Sequence, residues 1–164
     1  PTLIEGGFVM YEAAAITMYI ADQHKEAGLA PPPATLSRAR YYQWMAHLTN
    51  SVQEALNQWF HPDHFVSGPQ SERLFKKNAE KRLEKMWANL DEALSKSPYL
   101  LGDTFSACDA YLFFLTCWQT RLKKNMIRER PHLAKFFQTV NNRPSVQRTL
   151  EAEGIASWYS INND

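Results

Sequence analysis

The apolar residues at the start of the chain fall into two short runs on either side of a turn. Leu3-Ile4 and Phe8-Val9-Met10 flank Glu5-Gly6-Gly7, a pattern typical of a β-hairpin. Because two strands alone are marginally stable in water, this hairpin is expected to join a larger sheet. Apolar side chains then recur every three to four residues from about Glu12 to Lys25, which predicts a helix ending before Gly28.

The rest of the chain has the periodicity of helices joined by short loops. The proline-rich stretch 30–34 cannot be helical, because proline fixes φ and lacks a backbone donor, and it is interpreted as an interdomain linker. Two long amphipathic helices, predicted over about 37–60 and 70–95, are expected to pack antiparallel as the start of a bundle. Shorter helices are predicted over about 131–142 and 144–153, each beginning with proline.

The segment Cys108 to Trp118 is apolar on nearly every face. A helix of this kind belongs in the middle of a core. Ser106 and Asp109 stand at its start with the spacing of a capping box, in which Ser106 accepts from an amide three residues on and Asp109 reaches back to the amide of Ser106. This cap is expected to serve folding and to have no catalytic role.

Composition excludes several classes of function. With 18 basic and 17 acidic residues and a net charge of +1, the chain has no general attraction to nucleic acid or anionic membranes. No apolar run approaches the roughly 20 residues of a membrane span. Cys108 and Cys117 form no C-x-x-C motif and are interpreted as buried, reduced thiols, so a cytoplasmic protein is expected. No functional metal is expected at His61-Pro62-Asp63-His64.

Three segments carry a family resemblance. Gly102 to Ala110 (Gly-Asp-Thr-Phe-Ser-Ala-Cys-Asp-Ala) leads into the apolar helix; Tyr11-Glu12-Ala13-Ala14-Ala15-Ile16 is followed by Tyr19-Ile20; and Arg143-Pro144-Ser145-Val146-Gln147 precedes Glu153-Gly154. In this order and spacing they resemble the glutathione S-transferase family, with the bacterial, beta-like branch the most similar. The resemblance covers essentially the whole chain.

The resemblance implies a mainly α fold and a division into domains. Residues 1–29 would be the remnant of a thioredoxin-like domain (two strands and a helix), 30–35 a linker, and 36–164 the all-helical C-terminal bundle. Pro1 would be the cis-proline that precedes the third strand of the thioredoxin-like domain. The first strand, the first helix and the Ser, Cys or Tyr that activates the glutathione thiol would then lie upstream, so no catalytic residue is expected in this chain.

The resemblance also implies which residues bind the two substrates. Glu12, Ala13 and Pro1 would bind glutathione, with Glu12 meeting its ammonium group and the free amides of the following helix facing its carboxylate. The family most often has Ser where this chain has Ala13, so weaker glutathione binding is one expectation. Gln53, where the family often has His, would line the hydrophobic acceptor site with Leu56 and Trp118, although a packing role for these three remains open.

The resulting prediction is a transferase of the detoxification type. When complete, it would conjugate the glutathione thiolate to small hydrophobic electrophiles, with glutathione as co-substrate, and would act as a homodimer that pairs through the two long helices. The alternative is a catalytically silent glutathione-transferase-like protein that acts in protein–protein interaction or stress response, which Ala13 and Gln53 modestly favour. A free-standing helical interaction module is a third reading.

Overall fold

A computed structural model describes residues 1–119, 122 and 125–155 of the 164-residue chain. Its elements, in chain order, are strands β1 (Thr2–Glu5) and β2 (Phe8–Tyr11), helices α1 (Ala13–Gln23) and α2 (Leu36–His47), a π-helical turn (Leu48–Gln53), and helices α3 (Glu54–Phe60), α4 (Pro69–Leu94), α5 (Ala107–Gln119), α6 (Pro131–Asn141) and α7 (Pro144–Ala152). Short 3-10 turns cover Lys25–Ala27 and Pro62–His64. The predicted mainly helical fold with a leading hairpin is confirmed, and helix ends agree with the sequence predictions within two residues.

The hairpin and α1 form a small unit that is tied to the helical bundle. β1 and β2 pair antiparallel, with Thr2 opposite Tyr11. The hydroxyl of Tyr19 on α1 donates to the Glu5 carboxylate over 2.6 Å. At the other end of α1, Asp22 accepts two hydrogen bonds from the buried guanidinium of Arg38 on α2, at 2.6 and 3.2 Å. This bidentate pair holds α1 against the bundle.

The first long helix differs from the prediction at its middle. A π-helical turn, Leu48–Gln53, separates α2 from α3, where the sequence predicts one regular helix over 37–60. Such a turn accommodates one extra residue in the helix and is frequently found at functional sites. The inward face of the segment from α2 to α3 keeps the spacing of a helix. The apolar pattern therefore does not reveal the π turn. That face is fully or almost fully buried and consists of Tyr41, Met45, Leu48, Val52 and Leu56.

Helix α5 is the centre of the core, as the sequence predicts. Ten of its side chains are buried, and it contacts α1, α2, the π turn and α6. The buried Asp109 carboxylate accepts from the amide of Leu100 at 2.9 Å and from the amide and hydroxyl of Ser106 at 2.8 and 2.7 Å. The Ser106 hydroxyl thus donates to the carboxylate rather than accepting from the Asp109 amide, because a buried carboxylate needs donors.

Helices α4, α6 and α7 complete the bundle around α5. The Asp91 carboxylate on α4 accepts from the amides of His132 and Leu133 at 2.9 and 2.8 Å, which satisfies two free donors at the start of α6. The indole of Trp87, fully buried on α4, donates to Gln119 at the end of α5 over 2.8 Å. None of the helices in the described part of the chain combines the length and the apolar character needed to cross a lipid bilayer.

Candidate functional site

A cavity of about 500 Å³ lies where the hairpin and α1 meet the helical bundle. One side is formed by the start of the chain and of α1, the opposite side by the π turn and α3, and the floor by α5. Its lining residues are Pro1, Tyr11, Glu12, Ala13, Ala14, Thr49, Asn50, Gln53, Glu54, Asn57, Tyr111 and Trp118. The cavity therefore exists only because both parts of the chain contribute a wall.

Glu12 stands in a strained conformation at the edge of this cavity. It is the N-cap of α1 with φ 74° and ψ 110°, a region that costs a non-glycine residue on the order of 1–3 kcal/mol. Its exposed carboxylate makes no hydrogen bond within residues 1–119, 122 and 125–155. A strained backbone persists only where the surrounding structure fixes it, and such residues cluster at active sites and ligand-binding sites.

The start of α1 offers free donors beside Glu12. The amide of Ile16 already bonds to the Glu12 carbonyl at 2.9 Å, whereas the first helical amides, beginning with Ala13 and Ala14, have no partner within the helix. Both alanines line the cavity. Unpaired amides and the positive end of the helix dipole suit a carboxylate ligand, and the neighbouring Glu12 carboxylate suits an ammonium group.

The central part of the cavity holds a polar pair, Gln53 and Tyr111, of which only Gln53 is predicted from the sequence. The hydroxyl of Tyr111 on α5 donates to Oε1 of Gln53 over 2.5 Å. Tyr111 is buried, at 6% exposure. Burial and, to a smaller extent, the negative charge of Glu12 raise the pKa of Tyr111, so its hydroxyl stays protonated and keeps donating. The apolar segment that contains Tyr111 predicts a core residue, whereas in the structure Tyr111 lines the cavity and contacts Gln53.

Trp118 stands at the far end of the cavity and connects it with a second one. Trp118 and Asn57 line both the first cavity and a neighbouring space of about 330 Å³, whose other walls are Phe60 and His61. The Trp118 ring is 4.8 Å from the ring of Phe114 and 6.3 Å from that of Phe60, centroid to centroid. This aromatic lining suits an apolar ligand.

Not every residue predicted for the site lies there. Pro1, Glu12, Ala13, Gln53 and Trp118 all border the first cavity. Leu56, by contrast, is fully buried, belongs to the core cluster and lines neither cavity, which agrees with the packing role that the sequence left open. The physical reason is its helix face: it follows Val52 by four residues and points inward, whereas Asn57 points to the cavity. The cis state predicted at Pro1 concerns a bond outside this chain and stays a prediction.

The remaining groups that could take part in chemistry are poorly reactive or exposed, and of these only His61 lines one of the two cavities. Burial raises the pKa of the Cys108 and Cys117 thiols to about 12, so neither is a thiolate at neutral pH. Ligand atoms of His61, Asp63 and His64 lie within 4.8 Å of one another on exposed side chains. Geometry alone would permit an ion there, and the expectation of no metal remains a prediction.

Comparison with known proteins gives a consistent family. The model of the glutathione S-transferase C-terminal domain matches residues 52–144. Glutathione S-transferase GstA of Escherichia coli O157:H7 is 29% identical over 153 residues, which is 93% of this chain and 72% of that protein. Glutathione S-transferase 3 of Zea mays is 27% identical over 165 aligned positions, covering 93% of this chain and 70% of that protein.

Solved structures agree with these sequence relatives. A ternary complex of BphK, a bacterial glutathione S-transferase, superposes with a TM-score of 0.84 at 29% identity, covering 94% of this chain and 74% of that one. A sphingomonad glutathione S-transferase complexed with glutathione has a TM-score of 0.83 at 29% identity, covering 95% and 74%. Since the domain model matches more than half of the residues, the chain belongs to the family of proteins that contain the glutathione S-transferase C-terminal domain.

Proposed function

We propose that this protein is a glutathione S-transferase whose two linked cavities hold glutathione and its acceptor. The observation that carries the proposal is the continuous lining that runs from Glu12 and the start of α1 to Trp118. One end offers a carboxylate and free helical amides, and the other end offers an aromatic wall. A ligand with a charged amino-acid end and a sulfur that carries an apolar substituent matches both ends.

In this arrangement glutathione lies in the larger cavity. Its ammonium group pairs with Glu12, and its γ-glutamyl carboxylate accepts from the amides of Ala13 and Ala14. Alanine at position 13 provides the backbone donor without a hydroxyl, so this end relies on the amides and the Glu12 charge. An apolar electrophile lies against Trp118 and Phe60 in the smaller cavity, with its reacting carbon toward glutathione.

The chain's own residues contribute binding and orientation to the reaction. Holding both substrates side by side turns a bimolecular encounter into a reaction within one complex. Neither Cys108 nor Cys117 is suited to activate the glutathione thiol, because both thiols are buried with a pKa of about 12. The proposal therefore assigns thiol activation to no residue of this chain.

The cellular setting belongs to the same proposal. A detoxifying transferase in the cytoplasm is compatible with two buried cysteines that form no disulfide. We further propose a homodimer that pairs through α2 and α4. Apolar side chains left exposed on these helices support that arrangement: Tyr42 at 52% and Leu74 at 61%. Transferase function is favoured over a catalytically silent interaction protein, since named transferases are found among both sequence and structure relatives.

Calorimetry with two ligands tests the transferase proposal. S-Hexylglutathione, which carries an apolar group on sulfur, should bind at least about tenfold more tightly than glutathione, because its alkyl chain is buried against the aromatic wall. Trp118→Ala should remove most of that advantage and leave glutathione affinity nearly unchanged. Trp44→Ala, a half-buried tryptophan of α2 outside both cavities, serves as the matched control.

Two outcomes would contradict the proposal. Equal affinity for both ligands would mean that the aromatic cavity receives no acceptor group. Binding of neither ligand would support the alternative, in which the fold serves protein–protein contact.

A further inference from the structure

The turn between α3 and α4 brings together three side chains that can bind a metal ion. Pro62 excludes a regular α-helix at this point, and for that reason the sequence predicts no metal site there. The structure instead forms a 3-10 turn over Pro62–His64, and His61 directly precedes it. Side chains three positions apart in a 3-10 helix eclipse one another. His61 and His64 therefore project from the same side of the turn.

The two imidazole rings lie almost parallel beside a carboxylate. Their centroids are 5.1 Å apart, and their planes differ by 13°. The Oδ2 atom of Asp63 is 3.8 Å from Nε2 of His64. One ligand atom from each of His61, Asp63 and His64 lies within 4.8 Å of the other two. Ligand atoms that share one Zn²⁺ at about 2.0–2.2 Å are roughly 3–3.5 Å apart, so small side-chain rotations would form a coordination shell.

The backbone of the turn is fixed, whereas the three ligand side chains are exposed. Pro62 is buried, and the amide of His64 donates to the His61 carbonyl at 3.1 Å. The ring of Phe65 stacks on that of Phe75 on α4, with the centroids 5.3 Å apart. These contacts hold the turn between α3 and α4. Because the ligand side chains are exposed, no packing opposes their rotation toward an ion.

Both histidines have ring nitrogens available for coordination. In the described part of the chain, no hydrogen bond occupies a ring nitrogen of His61 or His64, and their polar neighbour is the Asp63 carboxylate. The exposed His24 differs, because its Nδ1 lies 3.2 Å from the Glu26 carboxylate and no second imidazole accompanies it. Among the residues that the structure describes, the 61–64 group is the one that combines three potential ligands.

Two imidazoles and one carboxylate form a ligand set that discriminates between metals. Imidazole nitrogen suits Zn²⁺, Cu²⁺ and Ni²⁺, whereas Mg²⁺ and Ca²⁺ take mostly oxygen ligands. Three protein ligands leave one position of a tetrahedral Zn²⁺ to water. The carboxylate also offsets part of the charge of the ion. The set therefore favours a divalent transition ion over Mg²⁺ or Ca²⁺.

We propose that His61, Asp63 and His64 form a binding site for Zn²⁺ at the turn between α3 and α4. One imidazole nitrogen of each histidine and one carboxylate oxygen of Asp63 coordinate the ion, and water takes the remaining position. This site is separate from the proposed transferase function. His61 also lines the smaller cavity together with Phe60, so the bound ion fixes the orientation of one ring at the edge of that cavity.

Calorimetric titration of the metal-free 164-residue chain with Zn²⁺ tests the site. The wild-type chain should bind one Zn²⁺ and should show no binding of Mg²⁺ at the same concentrations. His61→Ala and His64→Ala should each weaken Zn²⁺ binding at least about tenfold, because removal of a group that merely supports a ligand already costs about 10- to 100-fold. Asp63→Asn keeps one oxygen and should have a smaller effect.

His24→Ala is the matched control, because His24 is an exposed histidine beside a single carboxylate. This variant should keep the stoichiometry and affinity of the wild-type chain. All the replaced side chains are exposed, so midpoints of urea unfolding without metal should equal that of the wild type. Three results overturn this inference and leave the transferase proposal standing: no Zn²⁺ binding by the wild-type chain, binding unchanged in both His61→Ala and His64→Ala, or equal affinity for Mg²⁺.

Discussion

Replacing Asp109 with alanine is expected to lower the free energy of unfolding by about 3–5 kcal/mol. The carboxylate is fully buried and accepts three hydrogen bonds, from Leu100 and twice from Ser106. Each buried donor left without a partner costs on the order of 1–3 kcal/mol. Because a domain of this kind has only about 5–15 kcal/mol of stability in total, the variant should be close to unfolding at ordinary temperature. Urea unfolding followed by far-UV circular dichroism measures the change.

Two further variants make this prediction specific. Burial raises the pKa of the Asp109 carboxyl, so a neutral group of the same shape should be tolerated better than truncation. Asp109→Asn keeps one oxygen as acceptor and should cost about 1–2 kcal/mol. Asp103→Ala, at an exposed aspartate six residues earlier, should stay within about 0.5 kcal/mol of wild type. Equal stability of all three variants would show that the buried cap does not hold the bundle together.

Replacing Trp87 with alanine is expected to destabilise the chain by a similar amount, about 3–5 kcal/mol. The side chain is fully buried on α4, so truncation leaves a large cavity beside α5, and it also removes the indole donor to Gln119. Trp87→Phe keeps most of the volume and should cost clearly less. A lower midpoint of urea unfolding, with an unchanged dependence of the unfolding free energy on urea concentration, would identify the effect as a loss of stability alone.

A comparison with a partly exposed tryptophan tests whether burial is the cause. Trp44 on α2 is only half-buried, so Trp44→Ala should cost markedly less than Trp87→Ala. If the two substitutions had equal effects, the packing of α4 against the end of α5 would not be the source of stability. Trp87→Ala would also affect the site, because Trp118 directly precedes Gln119 and depends on the position of the end of α5.

Features built from neighbouring residues were predictable from the sequence. The hairpin follows from a Glu-Gly-Gly turn between apolar runs, and Gly6 adopts the positive φ of 57° that such a turn requires. The central helix follows from its apolar character on every side. Ser106 and Asp109 are three residues apart, and their contact lies within one helical turn.

Features that join distant residues were not predictable in the same way. Asp91 caps α6 from 41 residues upstream, and Tyr111 reaches Gln53 across 58 residues. Tyr111 has the sequence context of a core residue, since the residues on either side of it give no sign of a cavity. The π turn cannot be predicted from the apolar pattern, because it leaves the spacing of buried residues intact. Leu56 shows the same limit, because the resemblance indicates a wall of the acceptor site, whereas the helix face that forms this wall depends on packing.

The proposed transferase function requires that glutathione lies at the start of α1 with its γ-glutamyl group beside Glu12. An NMR titration of the ¹⁵N-labelled chain with glutathione tests this directly. The amides of Ala13 and Ala14 should shift, Glu12→Gln should weaken the response about tenfold, and cysteinylglycine, which lacks the γ-glutamyl group, should leave both amides unmoved. Unchanged amides at positions 13 and 14 under saturating glutathione, or equal shifts with cysteinylglycine, would contradict the proposed site.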